Sequence, residues 1–233
     1  MSDTLYDLIL TRPIARSKEF AAALSPRLLA RIRLHYAPLL EIVPLLPAPD
    51  LSLYRGVIFS SAAGAACVKS SKALPAFCVG ERTGREALDS GFEAQVSGSN
   101  ADELVETIIR QRPDAPLVHL HGQHTRGDIA KRVSSAGIET VSLAVYKQNA
   151  MIFSTETLRL LAGSTPKIVP LFSPRTAQLF IEQVEQPPTN LQIVALSAAV
   201  ADLIPSKWDA RLHVADAPNA AAVDAVLMRI MLG

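Results

Sequence analysis

The side chains best equipped for chemistry gather in one stretch, from Leu117 to Gln148. His119, His121 and His124 come first, and Tyr146 falls near its end. On a strand, residues two apart share a face, so His119 and His121 would stand together. Imidazoles at that spacing can ligate a metal, yet no Cys, Asp or Glu follows until Asp128 to complete a set. We therefore read no metal site, and take the two histidines as a buried or cleft-edge pair. Tyr146 supplies a phenol. Such a group packs, or it donates a proton or hydrogen bond, and the residues alone leave both readings open.

A second kind of candidate recurs along the chain. Five apolar runs end in a small residue and lead straight into a helical pattern, at Ser60-Ser61, Gly80 with Thr83, Gly122 with Thr125, Ser173-Pro174-Arg175, and Ser197. In parallel sheets, ligands bind outside the carboxyl ends of strands. Helix N-termini there present free N–H groups and a partial positive charge. Small residues let an anion approach the main chain. Any one junction is explained by a tight strand–helix turn; the recurrence in both halves of the chain points to a ligand bearing several carboxylates or phosphates.

The elements that must position these residues alternate in type. Strands are expected at Leu5–Leu10, Gly56–Phe59, Ala76–Val79, Phe92–Val96, Leu117–Leu120, Glu139–Tyr146, Lys167–Phe172, Leu191–Leu196 and Leu212–Ala215. Helices are expected at Ala62–Val68, Arg82–Leu88, Ala101–Gln111, Arg126–Ala136, Ser154–Leu161, Thr176–Val184, Ala198–Ile204 and Ala220–Leu232. Asn100 suits the N-cap of the third of these. Ser17 suits the N-cap of an earlier helix with Phe20, Leu24 and Leu28 on its apolar side. The strands are continuous apolar runs, which predicts parallel sheets covered on both faces.

About ten strands make one very wide sheet or two ordinary ones. Glu41–Pro47 reads as extended chain whose prolines suit an edge strand or linker, and Val141–Lys147 is a second crossing. The expected fold class is α/β, with two parallel-sheet α/β domains joined by two extended crossings, one domain being discontinuous. Residues 1–40 and 149–233 form the discontinuous domain, 45–145 the central one, and 41–44 and 146–148 the crossings.

Composition narrows the function. The 233 residues carry a net charge of +1, 49% hydrophobic and 5% aromatic side chains. Balanced charge speaks against nucleic acid and against a membrane-surface role. The longest uncharged run, Gly56–Val68, is too short to span a bilayer. Asp3 and Asp7 precede or interrupt the first apolar run, so no signal peptide is expected. Cys67 and Cys78 read as reduced thiols of a cytoplasmic protein. There is no GxGxxG, GxxxxGK[ST] or GxSxG motif.

In order, these residues resemble the bacterial uroporphyrinogen-III synthases. Leu8-Ile9-Leu10-Thr11-Arg12-Pro13 is similar to the family's opening strand and turn, and Ile58-Phe59-Ser60-Ser61 to its (F/I)-(T/S)-S signature. Val79-Gly80-Glu81-Arg82-Thr83 resembles its VGxxT turn. His121-Gly122 through Val145-Tyr146 resembles the segment that ends in the family's tyrosine. Phe172-Ser173-Pro174-Arg175 and Ala195-Leu196-Ser197 fall where the second domain's loops belong. The resemblance covers nearly the whole chain. The departures are Val200, where many relatives carry threonine, and Ala62-Ala63 after the serines, where relatives often carry asparagine.

The resemblance implies closure of the linear tetrapyrrole hydroxymethylbilane to uroporphyrinogen III, with inversion of ring D and loss of water. It implies that no metal or cofactor is needed, and that the substrate is a small molecule carrying many carboxylates. Tyr146 is then the acid that aids loss of the hydroxyl. Ser60, Ser61, Gly80, Thr83, Gly122, Ser173, Pro174 and Ser197 are substrate contacts, and Arg12, Arg126 and Arg175 pair with substrate carboxylates. The expected particle is a monomer. The alternative is a non-catalytic two-domain binding protein for an anionic metabolite.

Overall fold

The computed structural model describes residues 4–124 and 127–232. The chain divides into two compact units, residues 1–41 with 149–233, and residues 42–148.

The first unit is built on a five-stranded sheet. Strand β1 (Tyr6–Leu10) is almost wholly buried and lies between β2 (Ile32–Tyr36) and β9 (Lys167–Leu171). Beyond β9 come β10 (Leu191–Ala195) and β11 (Leu212–Val214), and all four pairings are parallel. The order β2-β1-β9-β10-β11 puts a topological switch point between β1 and β9, where the chain first builds one way and then the other. Strand β2 was not foreseen: it alternates, with Ile32 buried while Arg33 and His35 both bond the Asp7 carboxylate at 2.9 Å. It is an edge strand, so it lacks the continuous apolar run of its neighbours.

Helix α1 (Ile14–Ala22) starts after Pro13, not Ser17. Ser17 is buried inside it and donates to the Arg12 carbonyl at 3.0 Å. Pro13 takes the N-cap position, and its carbonyl accepts from the Arg16 and Ser17 amides with no side-chain cap. Leu28 belongs to a separate short helix, α2 (Pro26–Leu29), capped by Ser25. Helices α7 (Thr155–Ala162), α8 (Pro174–Gln183), α9 (Ala198–Ala201) and α10 (Ala220–Leu232) complete the unit. Two apolar clusters cover the sheet. Ile9, Val169, Leu171 and Ile193 join Phe180 and Trp208 in one, and Leu8, Leu10, Ile168 and Val194 join Phe20 and Leu227 in the other.

The second unit holds a six-stranded sheet in the order β3-β8-β7-β4-β5-β6. The strands are β3 (Leu40–Pro44), β4 (Gly56–Phe59), β5 (Pro75–Val79), β6 (Glu93–Gly98), β7 (Leu117–Gly122) and β8 (Thr140–Ala150). Pairings from β8 through β7, β4 and β5 to β6 are parallel. Its switch point lies between β4 and β7. Helices α3 (Ala62–Ala66), α4 (Gly80–Asp89), α5 (Ala101–Gln111) and α6 (Ile129–Ser135) flank the sheet. Alternation along β4 and β7 feeds two cores. Val57, Phe59, Val118 and Leu120 pack on one face, and Ile58 and Leu117 pack with Leu104, Ile108 and Val133 on the other. Burying each such side chain is worth about 2 kcal/mol.

The boundaries between units fall inside β3 and β8, which are neighbours in the second sheet. Strand β3 lies at the sheet edge, as the prolines around it require. Strand β8 runs on to Ala150, so Tyr146 sits within it rather than at its end. Among the described residues, no helix is long and apolar enough to cross a membrane.

Candidate active site

The carboxyl ends at the second unit's switch point carry Ser60-Ser61 after β4 and Gly122 closing β7. Strand geometry sends successive side chains to opposite faces, and the two serines diverge accordingly. Ser60 meets the buried His119, with Oγ and Nε2 2.9 Å apart. Ser61 meets Tyr146, with the two hydroxyl oxygens 3.1 Å apart, and accepts a hydrogen bond from Gly64 N–H at 3.3 Å as the N-cap of α3.

Tyr146 reaches Ser61 because β8 is irregular. Opposite His121 stands Ala144, but opposite Gly122 stands Tyr146, so one extra residue of β8 is accommodated there. Val145 and Tyr146, although consecutive, are both buried in the same apolar cluster. A bulge of this kind re-aims a side chain. The ring then lies against Gly122: a Cβ at that position would stand 2.6 Å from Tyr146 Cζ. Gly122 therefore makes room for the phenol. It is not at a helix start, because α6 begins only at Ile129, and this corrects the expectation placed on it. Thr125 and Arg126 lie outside the described residues.

The histidines are neighbours on one face of β7, with ring centroids 4.8 Å apart and planes inclined by 42°. His121 places Nδ1 2.7 Å from the Gly122 carbonyl and Nε2 2.7 Å from Ser142 Oγ. A carbonyl only accepts, so Nδ1 carries hydrogen. Burial, and then the neighbouring His121, push the His119 pKa down to about 4, so His119 is neutral at pH 7.

At the first unit's switch point, Arg12 follows β1 and Phe172 follows β9. The Arg12 guanidinium carbon lies 4.2 Å from the centre of the Phe172 ring, a cation–π arrangement. Burial, and then nearby Arg16, lower the Arg12 pKa to about 10, with Glu19 opposing. The group stays charged at pH 7, yet among the described residues no carboxylate forms an ion pair with it. Beside it, the buried Thr11 Oγ1 has no hydrogen-bond partner among the described residues. Neither Phe172 nor Thr11 was singled out from sequence. The pairing of β1 with β9 is what brings Phe172 to Arg12.

Ser173 caps α8 by accepting from Thr176 N–H at 3.2 Å. Pro174 has no N–H, so only Arg175 keeps a free backbone donor in that first turn, and its side chain is exposed. Ser197 precedes α9, whose four residues give little dipole, and makes no side-chain cap. Val200, where the resemblance leads us to expect threonine, is a core residue. Gly80 and Thr83 open α4, one strand away from the switch point. Gly80 takes φ +71° with open space where a Cβ would be, whereas Thr83 is buried in the helix. The free amides nearest the second switch point are those of Ala62 and Ala63, for which no acceptor exists among the described residues. Two surface cavities, of about 370 and 400 Å³, lie elsewhere, at His213 with Arg229 and at Tyr54 with Lys72.

Three comparisons with known proteins bear on this arrangement. The family model described as uroporphyrinogen-III synthase HemD matches residues 32–223. Among solved structures, uroporphyrinogen-III synthetase from Helicobacter pylori 26695 is similar with TM-score 0.67 and 13% identity, over 97% of this chain and 100% of that one. Uroporphyrinogen III synthase from the extremely thermophilic bacterium Thermus thermophilus is similar with TM-score 0.40 and 12% identity, over 97% of this chain and 96% of that one. No match was found among curated protein sequences. The Helicobacter likeness establishes a shared two-domain α/β fold. The family match runs from β2 into α10 and takes in both the Ser60–Ser61 turn and Tyr146. On that match, the chain belongs to the uroporphyrinogen-III synthase family.

Proposed function

We propose that Tyr146 donates the proton that lets the terminal hydroxyl of hydroxymethylbilane depart as water. The chain is a cyclising lyase of tetrapyrrole biosynthesis, and its product is uroporphyrinogen III. Loss of the hydroxyl leaves an azafulvene-like cation. Attack by the substituted carbon of ring D gives a spiro intermediate, which fragments and recloses with that ring inverted. Holding the folded chain is mainly orientation control, because unassisted closure gives the unrearranged isomer.

One observation carries the assignment: the bulge in β8 and the missing side chain of Gly122 seat the Tyr146 phenol at the carboxyl edge of the switch strands. There it joins the free amides of Ala62 and Ala63, which suit substrate carboxylates or a developing anion. Positioned acids contribute about 10²-fold or more. Tyr146→Phe is expected to lower kcat by that factor, measured with separation of isomers I and III. Near-normal turnover to isomer III would exclude the acid role.

Arg12 is read as a carboxylate clamp, since it is a half-buried cation lacking an anionic partner among the described residues. Ser173, Pro174, Arg175, Ser197, Gly80 and Thr83 remain candidate contacts, through the main chain more than through side chains. Arg12→Ala is expected to raise KM for the bilane more than it lowers kcat; steady-state kinetics with an unchanged KM would remove Arg12 from the site. We read the protein as a cytoplasmic monomer acting without nucleic acid, consistent with its +1 charge and two free thiols. A sedimentation mass of about twice the chain's 25.0 kDa would contradict the monomer.

A further inference from the structure

We propose that Ser61 is the positioning residue of Tyr146, and that the two hydroxyls form a one-way relay fed by the Gly64 amide. The proposal rests on the reading of Tyr146 as the acid. Ser61 has one hydrogen and two lone pairs to place. One lone pair takes the Gly64 N–H at 3.3 Å, and Tyr146 Oη lies 3.1 Å from Ser61 Oγ, where either hydroxyl can donate to the other. Ser60 is not available for this task, because its hydroxyl faces His119 across the sheet. The ring lies against Gly122, where a Cβ would stand 2.6 Å from Tyr146 Cζ, so the register shift in β8 and the missing side chain give the phenol its seat beside Ser61.

With a leaving oxygen accepting from Tyr146, Ser61 is left as the donor. The direction is then Gly64 N–H to Ser61 Oγ, Ser61 O–H to Tyr146 Oη, and Tyr146 O–H to the bilane hydroxyl. As the step proceeds, the Tyr146 O–H bond breaks and its proton goes to that hydroxyl. The C–O bond breaks, and its electron pair leaves with water. The electrons of the O–H bond stay on the phenolate, and the positive charge spreads over the pyrrole. Ser61 stabilises this phenolate at the moment it forms, which is assistance specific to the transition state. The proton that the closing pyrrole carbon sheds on rearomatising restores the phenol. Nothing is oxidised or reduced.

Ser61 is thereby reassigned from substrate contact to support for the acid. Losing a hydrogen bond that strengthens as the phenolate forms, and that does not touch substrate, lowers kcat and leaves KM in place. The test is a set of variants assayed for kcat, KM and isomer ratio with hydroxymethylbilane. Ser61→Ala is expected to lower kcat about tenfold to a hundredfold with KM within about twofold. Ser61→Thr, which keeps the hydroxyl, is expected to recover kcat to within a few-fold. Ser61→Gly keeps the cap position tolerable to the helix and is expected to behave as Ser61→Ala, so a folding defect cannot imitate the result. In the double variant with Tyr146→Phe, the Ser61→Ala loss is expected to vanish, because residues acting as one unit are not additive. An unchanged kcat in Ser61→Ala, a change confined to KM, or losses that multiply in the double variant would each overturn the relay. If Tyr146→Phe alone is near normal, the acid reading falls and the relay with it. If Tyr146→Phe is slow and Ser61→Ala is not, only the relay falls.

Discussion

At the scale of single residues, His119 is a buried polar group whose side-chain hydrogen-bond partner stands at the carboxyl end of β4. It is 1% exposed, it holds Ser60, and its pKa is displaced to about 4 chiefly by burial. The folded value lies below the ordinary 6.5, so the unfolded chain binds this proton first as pH falls. Stability from this group is therefore complete above about pH 6.5 and is lost as pH drops toward 4. Between pH 7 and pH 5 the expected loss is about 2 kcal/mol. Urea midpoints at the two pH values should show it, and His119→Gln, which cannot titrate, should show a smaller difference between them. An equal pH difference in both proteins would mean that other groups govern the acid limb. Arg12 makes the complementary point: among the described residues a cation over the Phe172 ring has no carboxylate within ion-pair distance, and Glu19 acts on it only from further away.

At the scale of elements, the decisive feature is where β7 and β8 fall out of step. The extra residue of β8 brings Tyr146 opposite Gly122, and the ring occupies the space a side chain would need. Gly122→Ala forces the ring or the strand to move, since its Cβ would lie 2.6 Å from one ring carbon. Overpacking of that kind costs about 1–3 kcal/mol. The expected result is a lowered melting temperature together with a kcat loss approaching that of Tyr146→Phe. A Gly122→Ala protein with native kcat would show that the phenol's position is immaterial. Short helices behave differently from the simple anion-cradle picture. α3 has five residues and α9 four, so their first free amides matter more than any macrodipole.

At the scale of the whole molecule, each unit has its own pair of apolar clusters and its own parallel sheet. Separate cores predict separable unfolding. Trp208 is the chain's sole tryptophan and is buried in the first unit, so its fluorescence reports that unit alone. Ile108 is fully buried in the second unit. Ile108→Ala is expected to cost about 2–5 kcal/mol there. Circular dichroism should then show an early transition that tryptophan fluorescence does not follow. Coincident early transitions by both probes would show instead that the units unfold as one.

Much of this was legible in the chain. Continuous apolar runs ending in small residues determine buried parallel strands, because a strand covered on both faces has no polar side to show. Asn100 announced α5, and the structure puts its side chain on the amides of Asp102 and Glu103. The ordered set of Ser60-Ser61, Gly122 and Tyr146 pointed to the family, which the match over residues 32–223 establishes. Other things only the tertiary structure decided. Strand β2 needed Asp7 beside it before Arg33 and His35 made sense as strand residues. Two adjacent serines have the same chemistry in sequence, yet the pleat sends one to His119 and the other to Tyr146. Gly122 looked like the start of a helix and is the seat of a phenol. A bulge leaves no mark on composition or periodicity, because it is a property of two strands in register and neither strand contains it alone.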